Sequence, residues 1–200
     1  MVPEAVNYFN YWKDTKQAIP ETPKGLTDLG YYSFDMGSWH LIALNSECAE
    51  VGGCDAESPE YRWLKQDLGE NKDKKCSLAF YHKPVFSSGT QASDRMKELY
   101  SLLYLNDVDI VLNGHEHDYE RFAPQGPDGS LDLLKGIREF VVGTGGASNI
   151  WFDKIKPNSE ARNDTTPGAL KLTLGSGSYE WQFIPINGGF FHDSGNGMCH

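Results

Sequence analysis

His82, His115 and His117 are the residues of this chain best suited to metal chemistry. A neutral imidazole presents one ring nitrogen with a free lone pair, which makes histidine the commonest protein ligand for transition metals. His82 follows the apolar run Cys76–Tyr81, and Gly114-His115-Glu116-His117 follows Val108–Leu112. Both runs have strand length. Between them, Ser93 is expected to cap a helix in which Met96, Leu99, Tyr100 and Leu103 recur at helical spacing. Strand, helix and strand in that order predict a βαβ unit with parallel strands and a right-handed crossover. The carboxyl ends of such strands share one edge, where ligands of open α/β sheets sit, and neighbouring strands lie about 5 Å apart. In an extended segment, positions i and i+2 face the same way, so His115 and His117 can act together. Gly114 is expected to let the backbone turn sharply into the site. Three imidazoles at a common rim could grip a divalent cation. The competing readings are a structural histidine at a strand end and a His-x-His pair arising by chance.

The remaining elements must hold that rim in place. Val6–Trp12 reads as a short helix, and Pro20, Pro23, Gly25 and Gly30 mark a loop. Tyr31–Met36 and Trp39–Leu44 read as strands joined at Gly37-Ser38, a two-residue hairpin signal with glycine leading. Ser58-Pro59-Glu60 announces a helix through an N-cap serine and a proline at the first helical position, with an end expected near Gly69. Ile137–Val142 reads as a strand ending in Gly143-Thr144-Gly145-Gly146, a tight turn or an anion-cradling nest. Ala169–Leu174 and Tyr179–Ile184 read as a hairpin, and the Gly-rich tail from Gly188 as irregular. The fold class is therefore mixed α/β, and residues 1–200 are expected to form a single domain.

Eighteen basic against 28 acidic side chains leave a net charge of −10, which argues against a protein that tracks nucleic-acid phosphates. No run approaches the roughly 18–20 apolar residues of a membrane span, and the opening residues carry no basic and apolar leader pattern. Cys48, Cys54, Cys76 and Cys199 match no Cys-x-x-Cys zinc spacing. A disulfide closing the Cys48–Cys54 loop, with Cys76–Cys199 as the remaining pair, implies an oxidising compartment; four unpaired thiols imply a reducing one. Both readings stay open at this point. His40 reads as a structural residue within a strand, and His192 and His200 lie in the tail without a role. Asn163-Asp164-Thr165 matches a glycosylation sequon. Ser87-Ser88-Gly89 lacks the nucleophile elbow of a serine hydrolase.

Tyr81-His82-Lys83-Pro84 and the block from Val108 through Asn113-Gly114-His115-Glu116-His117-Asp118-Tyr119-Glu120-Arg121 to Phe122 resemble the calcineurin-like metallophosphoesterases. The match is nearest to the purple-acid-phosphatase-like, bacterial alkaline-phosphatase-type branch. Tyr31–Glu47, Glu139–Gly146 and Asp193-Ser194-Gly195 share in it. The resemblance implies a four-layer α/β/β/α sandwich with a pair of divalent or trivalent ions, iron, zinc, manganese or similar, at its edge. It places His82 and His115 on one ion and His117 on the other. Two cations at such a site orient the phosphoryl group, supply a hydroxide and stabilise an in-line displacement. Tyr119, Glu120 and Arg121 are then expected to brace the histidine loop, and Lys83 either to steer a phosphate or to be a solvated surface cation. The resemblance also implies a small phosphorylated substrate and a secreted or periplasmic location.

The upstream family motifs that supply a bridging Asp, further ligands and an acid–base His have no counterpart here. Asp28-Leu29-Gly30 imitates one but follows no apolar strand, and Gly53-Cys54-Asp55 does not fit another. The expectation is a carboxyl-terminal part of the catalytic domain, without its amino-terminal strands and without the catalytic histidine. The functional expectation is metal-dependent hydrolysis of phosphate monoesters with part of the site on this chain. The alternatives are an inactive remnant binding one metal or anion, a structural module, and, among enzymes, a phosphodiesterase or nucleotidase.

Overall fold

The computed structural model describes residues 24–26, 29–148 and 151–200. The helix expected at Val6–Trp12, the loop prolines Pro20 and Pro23, and Asp28 lie outside the described residues. Within them the chain forms β1 (Lys24–Leu26), β2 (Tyr31–Met36), β3 (Trp39–Ala43), α1 (Pro59–Glu70), β4 (Cys76–Phe80), α2 (Lys97–Leu105), β5 (Ile110–Asn113), β6 (Tyr119–Phe122), β7 (Arg138–Val142), β8 (Ser159–Asn163), β9 (Gly168–Leu174), β10 (Ser178–Pro185) and β11 (Ser194–Met198). Eight strands form one sheet in the order β1-β2-β3-β4-β5-β7-β6-β8, and a second sheet runs β11-β10-β9.

The βαβ expectation is met: β4 and β5 are parallel neighbours with Leu78, Ala79 and Phe80 opposite Ile110, Val111 and Leu112. The parallel block extends further, because β3 pairs parallel with β4 and β5 with β7. Four strands therefore deliver their carboxyl ends to one edge. Apolar side chains on one face of this block, including Ile42, Ala79 and Val111, pack against Leu64 and Leu68 of α1 and Leu99 and Leu103 of α2. The other face sends Trp39, Leu41, Leu78, Ile110 and Phe140 against Tyr179, Trp181 and Phe183 of β10. Both faces are buried, which is why β3, β4 and β5 read as continuous apolar runs rather than alternating ones. The described residues thus build a helix layer and two packed sheets.

Ser58 caps α1 as expected, its Oγ accepting from the Tyr61 amide at 3.2 Å with Pro59 in the first turn. Ser93 behaves differently. It precedes a 3-10 turn over Asp94–Met96, makes no side-chain cap bond, and α2 begins only at Lys97. The tail expected to be irregular contains β11, whose Ser194–Met198 pairs antiparallel with β10. Its small residues are required there: a Cβ on Gly195 or Gly197 would meet the rings of Trp181 or Tyr179 at 2.3 Å. Strands β6 and β8, also absent from the sequence reading, pair with each other through Tyr119–Phe122 and Ser159–Asn163.

Disulfides join Cys48 to Cys54 and Cys76 to Cys199, which settles the cysteine pairing in favour of the oxidised reading. The second bridge ties the first residue of β4 in one sheet to the residue after β11 in the other. Beneath α1, His40 is 1% exposed and each ring nitrogen meets a carboxylate: Nδ1 with Asp35 Oδ1 at 2.8 Å and Nε2 with Asp67 Oδ2 at 2.8 Å. Ionised carboxylates only accept, so this geometry favours the imidazolium, in which both nitrogens donate. Burial alone would lower the His40 pKa, but its hydrogen bonds to Asp67 and Asp35 more than reverse this and raise it.

A histidine whose pKa rises on folding stabilises the native state below its unfolded value, and that stability disappears as pH climbs through the raised value. The urea midpoint of the wild-type chain is therefore expected to fall as pH increases above about 6.5. In His40→Ala that alkaline decline should be shallower, the remainder coming from Asp118 and His200, whose pKa values also rise on folding; an unchanged slope in the variant would refute the linkage.

Candidate metal centre

Four loops meet at the carboxyl edge of the parallel block: residues 44–47 after β3, 81–84 after β4, 114–118 after β5 and 143–146 after β7. Backbone bonds stitch them together. Leu44 N donates to Phe80 O at 3.0 Å, Tyr81 N to Leu112 O at 3.1 Å and Gly114 N to His82 O at 3.0 Å. The Asn113 side chain adds a donation from Nδ2 to Tyr81 O at 2.9 Å.

This stitching brings His82 Nε2 to 3.2 Å from His115 Nδ1, with the ring planes inclined at 71°. Two imidazoles on one tetrahedral zinc, each with a Zn–N bond of about 2.0–2.1 Å, hold their nitrogens about 3.3 Å apart. The pair fits a single cation. Burial and the neighbouring His115 lower the His82 pKa, and burial and the nearby Lys83 lower that of His115. Both rings are thus biased towards the neutral form that binds metal.

His117 stands apart from the pair. Its Nδ1 is 2.7 Å from the Ser148 carbonyl, to which it donates, leaving Nε2 as the nitrogen with the lone pair. Its ring borders a water-sized pocket with Thr144, Asn163, Asp164 and Thr166. Among the described residues the three histidines do not place ligand atoms within 4.8 Å of one another. The trio divides into a close pair and a single ring aimed at a neighbouring volume.

The backbone explains the division. His115 itself adopts the left-handed region at φ 68°, whereas Gly114 does not. The expected role of Gly114 in the sharp turn passes to the histidine, and a Cβ on Gly114 would stand at ordinary contact distance, 3.4 Å, from the His82 ring. Beyond His115 the side chains alternate. His115 and His117 are half-buried, while Glu116 and Asp118 are 0% and 1% exposed. Glu116 accepts from the Gln91 amide, and burial raises the pKa of its carboxyl group. Burial, with Glu120 and Glu116 nearby, pushes Asp118 up to about 8. Gly143 lies against this segment so closely that a Cβ would fall 1.8 Å from Glu116 O.

Tyr119, Glu120 and Arg121 sit on β6 and brace it from both faces. Tyr119 donates to Asp193 at 2.6 Å, and Arg121 pairs with Asp193 at 2.8 Å and stacks over Trp181. Glu120 faces the other way and accepts from the Ser88 amide at 2.7 Å and the Ser88 hydroxyl at 2.5 Å. Lys83 is engaged rather than free: its Nζ lies 2.8 Å from Glu47, and its amide donates to Ser46 Oγ at 3.0 Å. Glu47, which the sequence reading passed over, is held beside both His82 and His115, and its hydrogen bond to Lys83 lowers its pKa against the opposing effect of burial. Its only signal in the sequence is its place just after an apolar strand. The Gly143-Thr144-Gly145-Gly146 segment is a turn anchored by Thr144, whose Oγ1 donates to Gly168 O at 2.8 Å. Asn163 of the sequon is 9% exposed and its amide donates to Thr166 O at 3.0 Å, so it is turned inward.

A chain with this rim matches the family model described as calcineurin-like phosphoesterase over residues 3–119. The chain belongs to that family. Relatives within it include purple acid phosphatases. Purple acid phosphatase 18 of Arabidopsis thaliana is 32% identical over 127 residues, covering 60% of this chain and 27% of the relative. Purple acid phosphatase 15 of the same plant is 37% identical over 111 residues, covering 52% and 20%. The solved purple acid phosphatase of yellow lupin seeds superposes with a TM-score of 0.75 at 22% identity, covering 90% of this chain and 34% of that one. This superposition shows a shared fold. The chain spans about a fifth to a third of the length of these proteins.

Gly143→Ala is expected to destabilise the chain by about 1–3 kcal/mol or more, because the added methyl meets main chain that cannot rotate away. Urea unfolding measures this, and a variant as stable as wild type would show that the contact is relieved cheaply.

Proposed function

We propose that this chain forms part of the catalytic domain of a metal-dependent phosphate monoesterase. His82 and His115 hold one divalent or trivalent cation and His117 contributes to a second. Residues 1–200 act as one unit within that domain. The observation that carries the reading is the His82–His115 nitrogen pair at 3.2 Å, set at the carboxyl edge of parallel strands. Family membership supports the choice of phosphoric ester hydrolysis, and zinc, iron or manganese are the ions the donor set suits.

Bound ions would polarise the phosphoryl oxygens and lower the pKa of a coordinated water. The chain's own residues prepare the rim for this. Glu47, steadied by Lys83, puts a carboxylate beside the histidine pair and tempers its positive surroundings. The Ser148 carbonyl fixes the His117 tautomer. Glu120 and Arg121 hold β6, and with it the His115–His117 segment, against the loop at Ser88 and against Asp193. The substrate on this reading is a small phosphorylated molecule. The two disulfides suit a secreted or periplasmic setting, and no described helix is long and apolar enough to cross a membrane.

Titration calorimetry with zinc and manganese, paired with hydrolysis of p-nitrophenyl phosphate, tests the proposal. His82→Ala and His115→Ala are each expected to abolish the tighter binding event and any turnover. Wild-type affinity in both variants would overturn the site. Tight binding without turnover, under conditions in which a purple acid phosphatase control is active, would instead favour a metal-binding remnant.

A further inference from the structure

At the opposite end of the sheet, three other residues with metal-ligand chemistry come together. Cys76 opens β4, Cys199 follows β11 and Asp109 precedes β5, and one ligand atom from each lies within 4.8 Å of the others. His200 borders the group without entering it: its Nδ1 is 3.1 Å from Asp109 Oδ1, and its amide donates to the same oxygen at 2.9 Å. In the oxidised chain the two sulfurs are bonded to each other, so the group is closed to metal. We propose that reduction of Cys76–Cys199 unmasks a zinc site built from two thiolates and the Asp109 carboxylate, with water as the remaining ligand and His200 steadying Asp109.

Two thiolates and a carboxylate, with a water in the fourth position, are donors that zinc takes in open sites, and the thiolates select it over magnesium or calcium. Two Zn–S bonds of about 2.3 Å place the sulfurs about 3.8 Å apart. With the Cα atoms 5.4 Å apart, side-chain rotation opens that gap without moving either strand. Asp109 is already oriented, since its Oδ2 accepts from the Ser77 amide at 2.8 Å. Such outer contacts stiffen metal sites and sharpen their affinity.

The chemistry balances with a dithiol as co-reactant. A dithiol thiolate attacks one sulfur of the bridge, and its second thiol displaces the mixed disulfide. Two electrons pass to the protein, leaving two cysteine thiols and a cyclic disulfide. Zinc then displaces the two thiol protons into solvent. The disulfide closes a loop of 123 residues and is the covalent link between the two sheets. Zinc on Cys76, Cys199 and Asp109 would keep β4 and β11 clasped in a reducing environment, so the junction would have two interchangeable staples.

Cobalt(II) reports this directly, because thiolate-to-cobalt charge transfer absorbs in the near ultraviolet whereas histidine ligation at the other rim does not. The protein is reduced with excess dithiothreitol, desalted under argon and titrated with cobalt. A charge-transfer band saturating at one equivalent is expected in the reduced chain, absent from the oxidised one and bleached by zinc. It should persist in Cys48→Ser/Cys54→Ser, disappear in Cys76→Ser/Cys199→Ser and weaken in Asp109→Asn. No band in the reduced wild type, or one that depends on Cys48 and Cys54, overturns the proposal. Melting guards against a serine variant that fails to fold. Zinc must raise the melting temperature of the reduced wild type by more than that of the oxidised form, and equal shifts also overturn the site.

Discussion

The parallel pairing of β3, β4, β5 and β7 is the constraint on which the remaining architecture depends. Parallel neighbours end at the same edge, so the loops after four separate strands converge there although up to about a hundred residues separate them in the chain. The backbone bonds from Leu44, Tyr81 and Gly114 to the adjoining loops continue the ladder past the last strand residues. That continuation, rather than any contact between the rings themselves, sets the distance from His82 to His115.

The rim is supported from below by carboxyl groups with little or no exposure. Glu116, Asp118, Glu120 and Glu139 are all at most 1% exposed. A carboxylate costs several kcal/mol to bury without a partner. The chain meets that cost in two ways. Glu120 receives donors from Ser88. Asp118 and Glu139 instead have their pKa values pushed upward by burial, which favours the neutral acid. The same alternation that turns His115 and His117 outward turns Glu116 and Asp118 inward, so the chemistry of the rim and the electrostatics beneath it come from one stretch of extended backbone.

The two ends of the sheet differ in kind. The carboxyl edge carries partly exposed imidazoles in loops, as suits ligand access. The amino end carries closed polar groups: the His40 imidazolium between Asp35 and Asp67, and Asp109 between Ser77 and His200, next to the bond joining the sheets. The first set leaves lone pairs available, and the second uses them internally. Family membership and the likeness of fold to the lupin enzyme concern the whole framework, while the division of labour between its ends follows from these residues.

Much of this was legible in the sequence. The apolar runs at Cys76–Tyr81 and Val108–Leu112, with a helical pattern between them, identify a parallel pair, because a central strand buried on both faces must be apolar at successive positions. The histidines are visible as residues just beyond those runs, and Ser58-Pro59-Glu60 announces its helix through local chemistry alone. Strands β6, β8 and β11 were not legible. Tyr119–Phe122 and Ser159–Asn163 are short and charged, and Ser194–Met198 consists largely of small residues that serve as strand only because Trp181 and Tyr179 lie over them. Only tertiary structure decided that His117 turns to Ser148 while His115 turns to His82. That outcome depends on the left-handed backbone at His115 and on how closely Gly143 packs against Glu116, neither of which is encoded in spacing. Likewise the cysteines stayed ambiguous in sequence, because a bridge spanning 123 residues forms through the packing of one sheet on another.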